Sequence, residues 1–213
     1  MAGERLDRST AGPLGLHGDR VVQVYDGRGR LVTARTYPGL LGLRATLGTD
    51  GEPLVDGRPW SAPDVQTRVQ AIVGAGARLV RNEHEARFDI RPLLVATDGA
   101  IAAFGRDARR LRPNLIVGGV DGLDERLWEG RVLRIGSVLV ALVDLRGRCV
   151  MTTFDPDTLV QDPRVLKDIV RRFDGRLALN ADVIQGGTLR AGAPVELLAE
   201  SAARRLEAAF DSP

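Results

Sequence analysis

Short apolar runs bounded by glycine turns recur along the chain and constrain its fold more than any other feature. Residues 21–25 and 31–35 carry β-branched and aromatic side chains and flank a turn that contains Gly27 and Gly29. This pattern predicts a β-hairpin. A further strand is predicted over residues 40–47, where another glycine turn ends it. Runs this short and this often interrupted favour a mainly β fold.

The later part of the chain repeats the pattern and adds helices. Helices are predicted where apolar residues fall three or four apart, at residues 63–75, 98–111 and 163–173. Ser61 is the predicted cap of the first helix, and Thr97 or Asp98 caps the second. A charged helix is expected up to Phe210. Further strands are predicted at residues 93–96, 115–117, 131–135, 138–143, 177–179 and 183–185.

The charge balance and the single cysteine narrow the functional class. The 213 residues carry 30 basic and 28 acidic side chains. The basic ones are dispersed arginines apart from Lys167, which argues against a nucleic-acid surface. No apolar run reaches the length of a membrane span, and the N-terminus lacks the apolar centre of a signal peptide. One cysteine permits no intrachain disulfide, so we expect a cytoplasmic protein. From the charge pattern and the apolar runs, we expect contact with neither nucleic acid nor membrane.

Cys149 is that single cysteine, and its neighbours give it two interpretations. A free cysteine is often a small buried apolar residue. A soft thiolate is also a ligand for a thiophilic metal, and the adjacent Arg148 favours the ionised thiol. Thr152 and Thr153 follow closely enough to line the same pocket, or they build the local turn. Asp155, which precedes a proline, is expected to build the turn.

An Arg-Pro-Asn run stands where a predicted helix ends and the strand at residues 115–117 begins. Proline disfavours helical conformation in the residue before it, so the run ends the helix. Ligand-binding residues are commonly presented at such junctions. We therefore predict that Arg112, Asn114 and Cys149 converge on one pocket.

The order of these motifs resembles the MOSC domain family, which includes the mitochondrial amidoxime-reducing component and its bacterial relatives. The resemblance implies an α+β, mainly β fold: a MOSC-type β-barrel with peripheral helices. It also implies a shortened N-terminal β-barrel part at residues 1–60, the MOSC domain at residues 78–199 and a C-terminal helix at residues 200–213. The segments that carry the resemblance are residues 15–20, 31–38, 112–114, 121–128, 134–138, 148–153, 155–158 and 186–195.

A molybdenum-pterin cofactor is what this resemblance implies, together with reduction of small N-hydroxylated or N-oxide substrates. Cys149 is then both the molybdenum ligand and a catalytic residue. Asp121 is either a proton donor to the substrate or a cap for a nearby helical turn. The residues expected to hold the cofactor, from the resemblance or from their place beside the cysteine, are Arg20, Arg112, Asn114, Arg148, Thr152 and Thr153.

An electron donor is expected to be a separate ferredoxin- or flavin-type reductase, because the chain has no cysteine set for an iron–sulfur cluster. Pyridoxal phosphate binding is a further property attached to the family. His17 and His84 have no ligand spacing and are expected to be solvated or structural.

The chain also departs from the family's pattern. It lacks the Tyr-Pro-Val-Lys-Ser-like motif of the reductases, and Gly147 stands where many relatives carry serine. Two alternatives to a reductase therefore stay open. One is a carrier of the cofactor or of a persulfide on Cys149, and the other is a degenerate MOSC-like binding domain without metal.

Overall fold

The computed structural model describes residues 1–82 and 88–199. His84 and the predicted helix at residues 200–213 lie outside these ranges. Among the described residues, no helix combines the length and the apolar character needed to cross a bilayer. The helices are α1 (Pro63–Val73), α2 (Asp98–Phe104) and α3 (Arg164–Phe173), with 3₁₀ turns at Pro38–Gly42, Ala108–Arg110, Asp124–Leu127 and Val150–Thr153.

Short strands make up most of the regular structure. They are β1 (Arg8–Gly12), β2 (Gly15–Leu16), β3 (Val22–Tyr25), β4 (Leu31–Val32), β5 (Ala45–Leu47), β6 (Pro53–Val55), β7 (Arg58–Pro59), β8 (Arg78–Arg81), β9 (Leu93–Thr97), β10 (Leu115–Val117), β11 (Val132–Ile135), β12 (Val138–Gly147), β13 (Arg176–Gln185), β14 (Gly187–Arg190) and β15 (Val195–Leu197).

Two compact units are interleaved along the chain. Unit 1 consists of Met1–Arg5, Gly18–Phe88 and Phe154–Asp162, and unit 2 consists of Leu6–His17, Asp89–Thr153 and Pro163–Pro213. The units are discontinuous and do not follow the segments 1–60 and 78–199 expected from the sequence. That division stays a prediction.

Unit 1 contains two small antiparallel sheets, β4-β3-β8 and β5-β6-β7. The predicted hairpin is confirmed, since β3 and β4 pair and the Asp26 carboxylate accepts the turn's backbone N–H groups of Arg28 and Arg30. The strand predicted over residues 40–47 is wrong in its first half. Pro38 begins a 3₁₀ turn there, because its fixed φ suits a helical turn, and a strand follows only at Ala45–Leu47.

Helix α1 begins at Pro63, within the predicted range, but its cap differs from the prediction. The cap position is Ala62, and no side chain caps it. Proline at the first helical position needs no partner for a backbone N–H, so the start of this helix does not require Ser61.

A six-stranded sheet in the order β10-β9-β13-β12-β11-β15 forms the centre of unit 2. Strands β9 and β10 are parallel, and the other pairs are antiparallel. Its inner face holds a continuous apolar cluster that includes Val95, Leu133, Val140 and Leu179. Residues of both edge strands line one cavity of about 480 Å³, so the sheet is curled until its edges face each other. The mainly β, barrel-like fold with peripheral helices is confirmed.

Helices α2 and α3 pack together on unit 2 through Phe104, Leu111, Val165 and Ile169. Helix α3 matches its prediction, whereas the helix predicted over residues 98–111 ends early. Gly105 adopts φ 66° and stops α2, after which Ala108–Arg110 forms a separate 3₁₀ turn. Leu111 is nevertheless buried, so the apolar spacing identified the packed face but not the break.

Strand β13 is one continuous strand, where two short strands had been predicted. Its pairing with β12 contains register shifts, and Ala178 within it has φ 65°. Such irregularities interrupt the alternation of side chains, which explains why the sequence suggested two pieces.

The N-terminal strand β1 completes unit 2 by pairing with β2 and β14. Ala11 of β1 is buried in the central cluster. Strand β14 approaches closely, because a Cβ on Gly186 would lie 2.8 Å from the carbonyl oxygen of Ala11. Glycine is therefore required where the chain turns from β13 into β14.

Candidate functional site

Cys149 follows the end of β12 and precedes the 3₁₀ turn Val150–Thr153. Its side chain is half-buried. The carbonyl oxygen of Cys149 accepts hydrogen bonds from the backbone N–H of Thr152 (3.0 Å) and from its Oγ (2.9 Å). Thr153 donates its Oγ proton to the carbonyl of Val150 at 2.6 Å. Both buried threonine hydroxyls thus donate within the turn that carries the thiol.

Arg148, next to Cys149 in the chain, is a half-buried cation. Its Nη2 donates to the carbonyl of Leu111 at 2.6 Å, but its buried Nε has no hydrogen-bond partner within the described part of the chain. Burial, helped by the charges of Arg146 and Arg112, lowers the pKa of Arg148 to about 10, while Cys149 and Glu125 act in the opposite sense. An unpaired buried donor costs about 1–3 kcal/mol, so this site favours an incoming acceptor.

Arg112 lies next to the residue that Arg148 contacts. It is exposed, and its backbone has φ 57°. A left-handed conformation costs a residue with a Cβ roughly 1–2 kcal/mol, and Pro113 makes the ordinary helical conformation unfavourable here. Strained backbone of this kind clusters at functional sites. The guanidinium of Arg112 is therefore presented outward from a turn that the fold constrains.

Asn114 forms two hydrogen bonds that support the fold. Its Oδ1 accepts the backbone N–H of Leu94 at 2.9 Å, and its own N–H donates to the carbonyl of Leu94 at 2.8 Å. The two bonds fix the start of β10 against β9. Sequence reasoning could not reveal this pairing, because Leu94 lies in a different element. The predicted convergence of Arg112 and Asn114 on the thiol stays a prediction.

Arg20 belongs to unit 1. It is exposed, has φ 56°, lies 3.6 Å from the Asp19 carboxylate and stacks 5.6 Å from the centre of the Phe88 ring. Asp155 is also in unit 1, where its Oδ1 accepts the backbone N–H groups of Asp157 and Thr158. This turn is the role expected for Asp155.

Asp121 is exposed, and its carbonyl oxygen accepts the backbone N–H of Asp124. The neighbouring 3₁₀ turn has Leu123 at its cap position and no side-chain cap, so Asp121 does not cap it. Glu125 in that turn is the acid that sequence reasoning missed. It is fully buried, although glutamate is almost never fully buried unless it is paired.

Comparison with known proteins places these residues in a family. Residues 97–196 match the family model of the MOSC domain. Residues 97–196 therefore have the sequence pattern of a MOSC domain. The match includes the candidate site residues of unit 2, which are Arg112, Asn114, Asp121, Arg148, Cys149, Thr152 and Thr153. Arg20 lies outside the matched residues.

The chain also resembles characterised proteins. Mitochondrial amidoxime reducing component 2 from Homo sapiens is 35% identical over 101 residues, which cover 45% of this chain and 30% of that protein. Mitochondrial amidoxime-reducing component 1 from Homo sapiens is 28% identical over 131 residues, which cover 53% of this chain and 38% of that protein. The chain therefore spans a minor part of each relative's length.

Solved structures with a similar backbone are bacterial. YuaD from Bacillus subtilis has a TM-score of 0.48 and 13% identity, with 91% of this chain and 86% of that chain covered. YiiM from Geobacillus stearothermophilus has a TM-score of 0.43 and 18% identity, with 63% of this chain and 76% of that chain covered.

The described residues other than Cys149 offer few groups for a metal or for pyridoxal phosphate. In residues 1–82 and 88–199, no three His, Cys, Asp or Glu side chains form a group able to hold a metal ion. Lys167, the chain's one lysine, is exposed on α3 and does not suggest a pyridoxal phosphate site, where a lysine normally forms the Schiff base. His17 is exposed, in agreement with the solvated role expected for it.

Proposed function

We propose that this protein binds a molybdenum-pterin cofactor and reduces small N-hydroxylated or N-oxide substrates. The observation that carries the proposal is the buried Nε of Arg148, which has no partner among the described residues and stands beside the chain's single thiol. The similarity to amidoxime reducing components supports the class of substrate.

The residues fit such a cofactor in two respects. A phosphate-bearing pterin needs arginine donors, and Arg148 offers a free Nε while Arg112 presents an exposed guanidinium nearby. A metal already held by the sulfur atoms of a pterin needs few protein ligands, and Cys149 supplies one soft sulfur. No cluster of additional metal ligands among the described residues is required for this arrangement.

Each residue has a separate part in the proposed chemistry. When bound, the cofactor supplies a redox-active metal able to take oxygen from an N–O bond. Cys149 would hold that metal, and Arg148 and Arg112 would bind the phosphate end. Asn114 is held in place by its bond to Leu94 and is the proposed contact for the amide-like edge of the pterin. Thr152 and Thr153 fix the turn around the thiol.

A proton and an electron supply complete the proposal. Asp121 is exposed and is the proposed proton donor to the substrate oxygen. Electrons come from a separate ferredoxin- or flavin-type reductase, as the resemblance implies. The proposed cytoplasmic location rests on the single cysteine of the sequence.

Substitution of the cysteine tests the proposal directly. Cys149→Ser replaces a soft, ionisable thiol by a hard hydroxyl of nearly the same size. In protein produced by a host that makes the cofactor, we expect about a tenfold or greater loss of bound molybdenum, with the melting temperature unchanged. Mass spectrometric metal analysis and N-hydroxyl reductase assays with an electron donor measure the two effects.

Gly147→Ala is the matched control, because a Cβ at Gly147 meets nothing within 4 Å. Equal molybdenum content and equal activity in wild type and Cys149→Ser would remove the sulfur from the mechanism. If wild type holds the cofactor but never turns over a substrate, the protein is a carrier. If wild type holds no molybdenum where a related protein is loaded, it is a degenerate binding domain.

A further inference from the structure

Two arginine side chains link the two segments beside the candidate site, residues 110–111 and residues 148–153. Each segment contributes one of the arginines, which donates to the other segment. Arg110 Nη1 donates to the carbonyl oxygens of Thr152 (3.4 Å) and Thr153 (3.1 Å). Arg148 Nη2 donates back to the carbonyl of Leu111 at 2.6 Å. We refer to Arg110 and Arg148 together as the arginine clasp, which joins residues 110–111 to residues 148–153.

Cys149 lies within the stretch that the clasp holds. On one side it is bonded to Arg148 along the chain, and on the other its carbonyl accepts two hydrogen bonds from Thr152. The carbonyl of Thr152 is in turn held by Arg110. The path from Arg110 to the cysteine therefore passes through one residue and uses only hydrogen bonds within unit 2.

From this geometry we infer that Arg110 is a positioning residue for Cys149. It holds the 3₁₀ turn Val150–Thr153 against residues 110–111 and so sets the position and exposure of the thiol. The same clasp fixes where Arg112 stands relative to that turn, because Arg112 follows Leu111 directly. The inference rests on the proposed function only in assigning that thiol to a metal.

Arginine suits this task better than other polar residues. A planar guanidinium offers five N–H donors, so one side chain can bond two adjacent carbonyls, and its charge persists at every physiological pH. Arg110 is half-buried, which limits competition from water for these bonds. Glutamine at this position has a shorter reach and only two donors. It would leave at least one of the two carbonyls without the hydrogen bond that Arg110 donates.

The sole cysteine makes the test simple, because alkylation of the metal-free protein reports on Cys149 alone. In Arg110→Gln we expect iodoacetamide to react with the native protein about threefold to tenfold faster than with wild type, the change that corresponds to the net contribution of one ordinary hydrogen bond. Arg109→Gln is the matched control. Arg109 belongs to the same 3₁₀ turn, is exposed and bonds the Asp107 carboxylate through Nε and Nη2, so its removal should leave the rate unchanged.

A comparison of two reagents separates position from charge. If Arg110 acted by charge alone, loss of the cation would make the reactive thiolate less favourable, so Arg110→Gln would slow both reagents, the anionic iodoacetate more than the neutral iodoacetamide. That result, or equal rates for both reagents in Arg110→Gln and wild type, would overturn the inference. An effect on global stability alone would move the melting temperature and leave the native alkylation rate at the level of Arg109→Gln.

Arg110→Lys covers the case in which the glutamine variant fails to fold. It keeps the charge and can donate to a carbonyl, so we expect an alkylation rate between those of wild type and Arg110→Gln. If circular dichroism shows that Arg110→Gln is unfolded, a wild-type rate in Arg110→Lys contradicts the inference. Failure of the proposed function is distinguishable, because it shows in the molybdenum content of Cys149→Ser and does not affect alkylation of metal-free protein.

Discussion

Glu125 is a fully buried carboxylate that connects three parts of unit 2. Its Oε2 accepts hydrogen bonds from the backbone N–H and the hydroxyl of Thr97 in β9, at 2.9 and 2.8 Å. Its Oε1 accepts the backbone N–H of Ala178 in β13 at 2.9 Å. The residue therefore satisfies donors of two strands from a 3₁₀ turn that belongs to neither.

Replacing this carboxylate by an amide tests its structural weight. Glu125→Gln puts an NH₂ group where one oxygen now accepts, so a donor would face a donor. We expect a loss of about 2–3 kcal/mol in the free energy of unfolding, because hydrogen bonds to charged groups are the strong ones and a buried donor would be left unpaired. Urea denaturation measures it.

Asp124→Asn is the control for this substitution. Asp124 lies in the same 3₁₀ turn and is exposed, so we expect a change within about 0.5 kcal/mol. A glutamine variant as stable as this control would show that Glu125 contributes no more than a surface acid.

Single residues show what a sequence can reveal about a site. Cys149 and Arg148 were identifiable because they are adjacent and because the surrounding motif resembles a family. The link from Arg110 to Thr152 and the role of Glu125 were not, because both depend on partners that the fold brings together from distant segments. Charged residues in such runs look like solvated surface until their partners are known.

The start of helix α2 is joined to the loop that follows β10. The Thr97 hydroxyl accepts the backbone N–H of Ala100, and the Asp98 carboxylate accepts those of Gly119 (2.7 Å) and Val120 (3.0 Å). The contact is close, since a Cβ on Gly99 would lie 2.2 Å from the carbonyl oxygen of Val120. One helix terminus thus supports the loop beside an edge strand.

Acidification tests this connection. Hydrogen bonds from the N–H groups of Val120 and Gly119 lower the pKa of Asp98 below its usual 3.8, against the opposing effect of burial. The folded pKa lies below the unfolded one, so the stabilisation is complete above the unfolded value and is lost as the pH falls through the folded value. Asp98→Asn should therefore have a lower urea midpoint than wild type at about pH 7 and converge with wild type as the pH falls through the folded pKa of Asp98.

Asp64→Asn provides the comparison in another helix. Asp64 also stands in the first turn of its helix and is exposed like Asp98, but its carboxylate is paired with Arg58 at 3.2 Å. We expect a small effect there, because exposed ion pairs contribute little. A difference for Asp98→Asn that persists unchanged into acid would assign the effect to something other than the carboxylate charge.

Elements were predictable where local signals agreed with their surroundings. Helix α3, strands β9 to β12 and the β3–β4 hairpin followed from spacing and turn residues. The errors at residues 40–47 and 98–111 have local causes, namely the turn begun by Pro38 and the left-handed Gly105. Strand β13 was predicted as two strands. Its pairing with β12 is irregular, and local patterns in the sequence of β13 do not reveal that pairing.

The whole molecule depends on a strand from the beginning of the chain. Strand β1 pairs with β14, and its Ala11 and the adjoining Leu16 pack on the central cluster of unit 2. Removal of residues 1–17 should therefore expose part of that cluster and lower the melting temperature by about 10 °C or more, or abolish cooperative melting. Circular dichroism during heating measures this.

Removal of residues 1–5 is the matched deletion. It spares β1 and β2 and takes away the bridge between Ala2 and Arg44 in unit 1. We expect it to keep a cooperative transition near that of the full chain. Equal melting of the two deletions would mean that β1 is dispensable. The sequence suggested strands in this region through its resemblance to a family, but the pairing of β1 with β14 joins distant segments and was not predictable from local patterns.

The pairing of Arg8 with Arg190 also has a consequence for biosynthesis. At ribosomal rates of roughly 5–20 residues per second, β1 emerges on the order of ten seconds before its partner strand exists. During that interval its backbone edge is exposed to other nascent chains. Arg8, Ser9 and Thr10 make this strand polar, and such composition limits edge-to-edge aggregation. Strand β1 can therefore pair with β14 late in synthesis with little risk of aggregation before then.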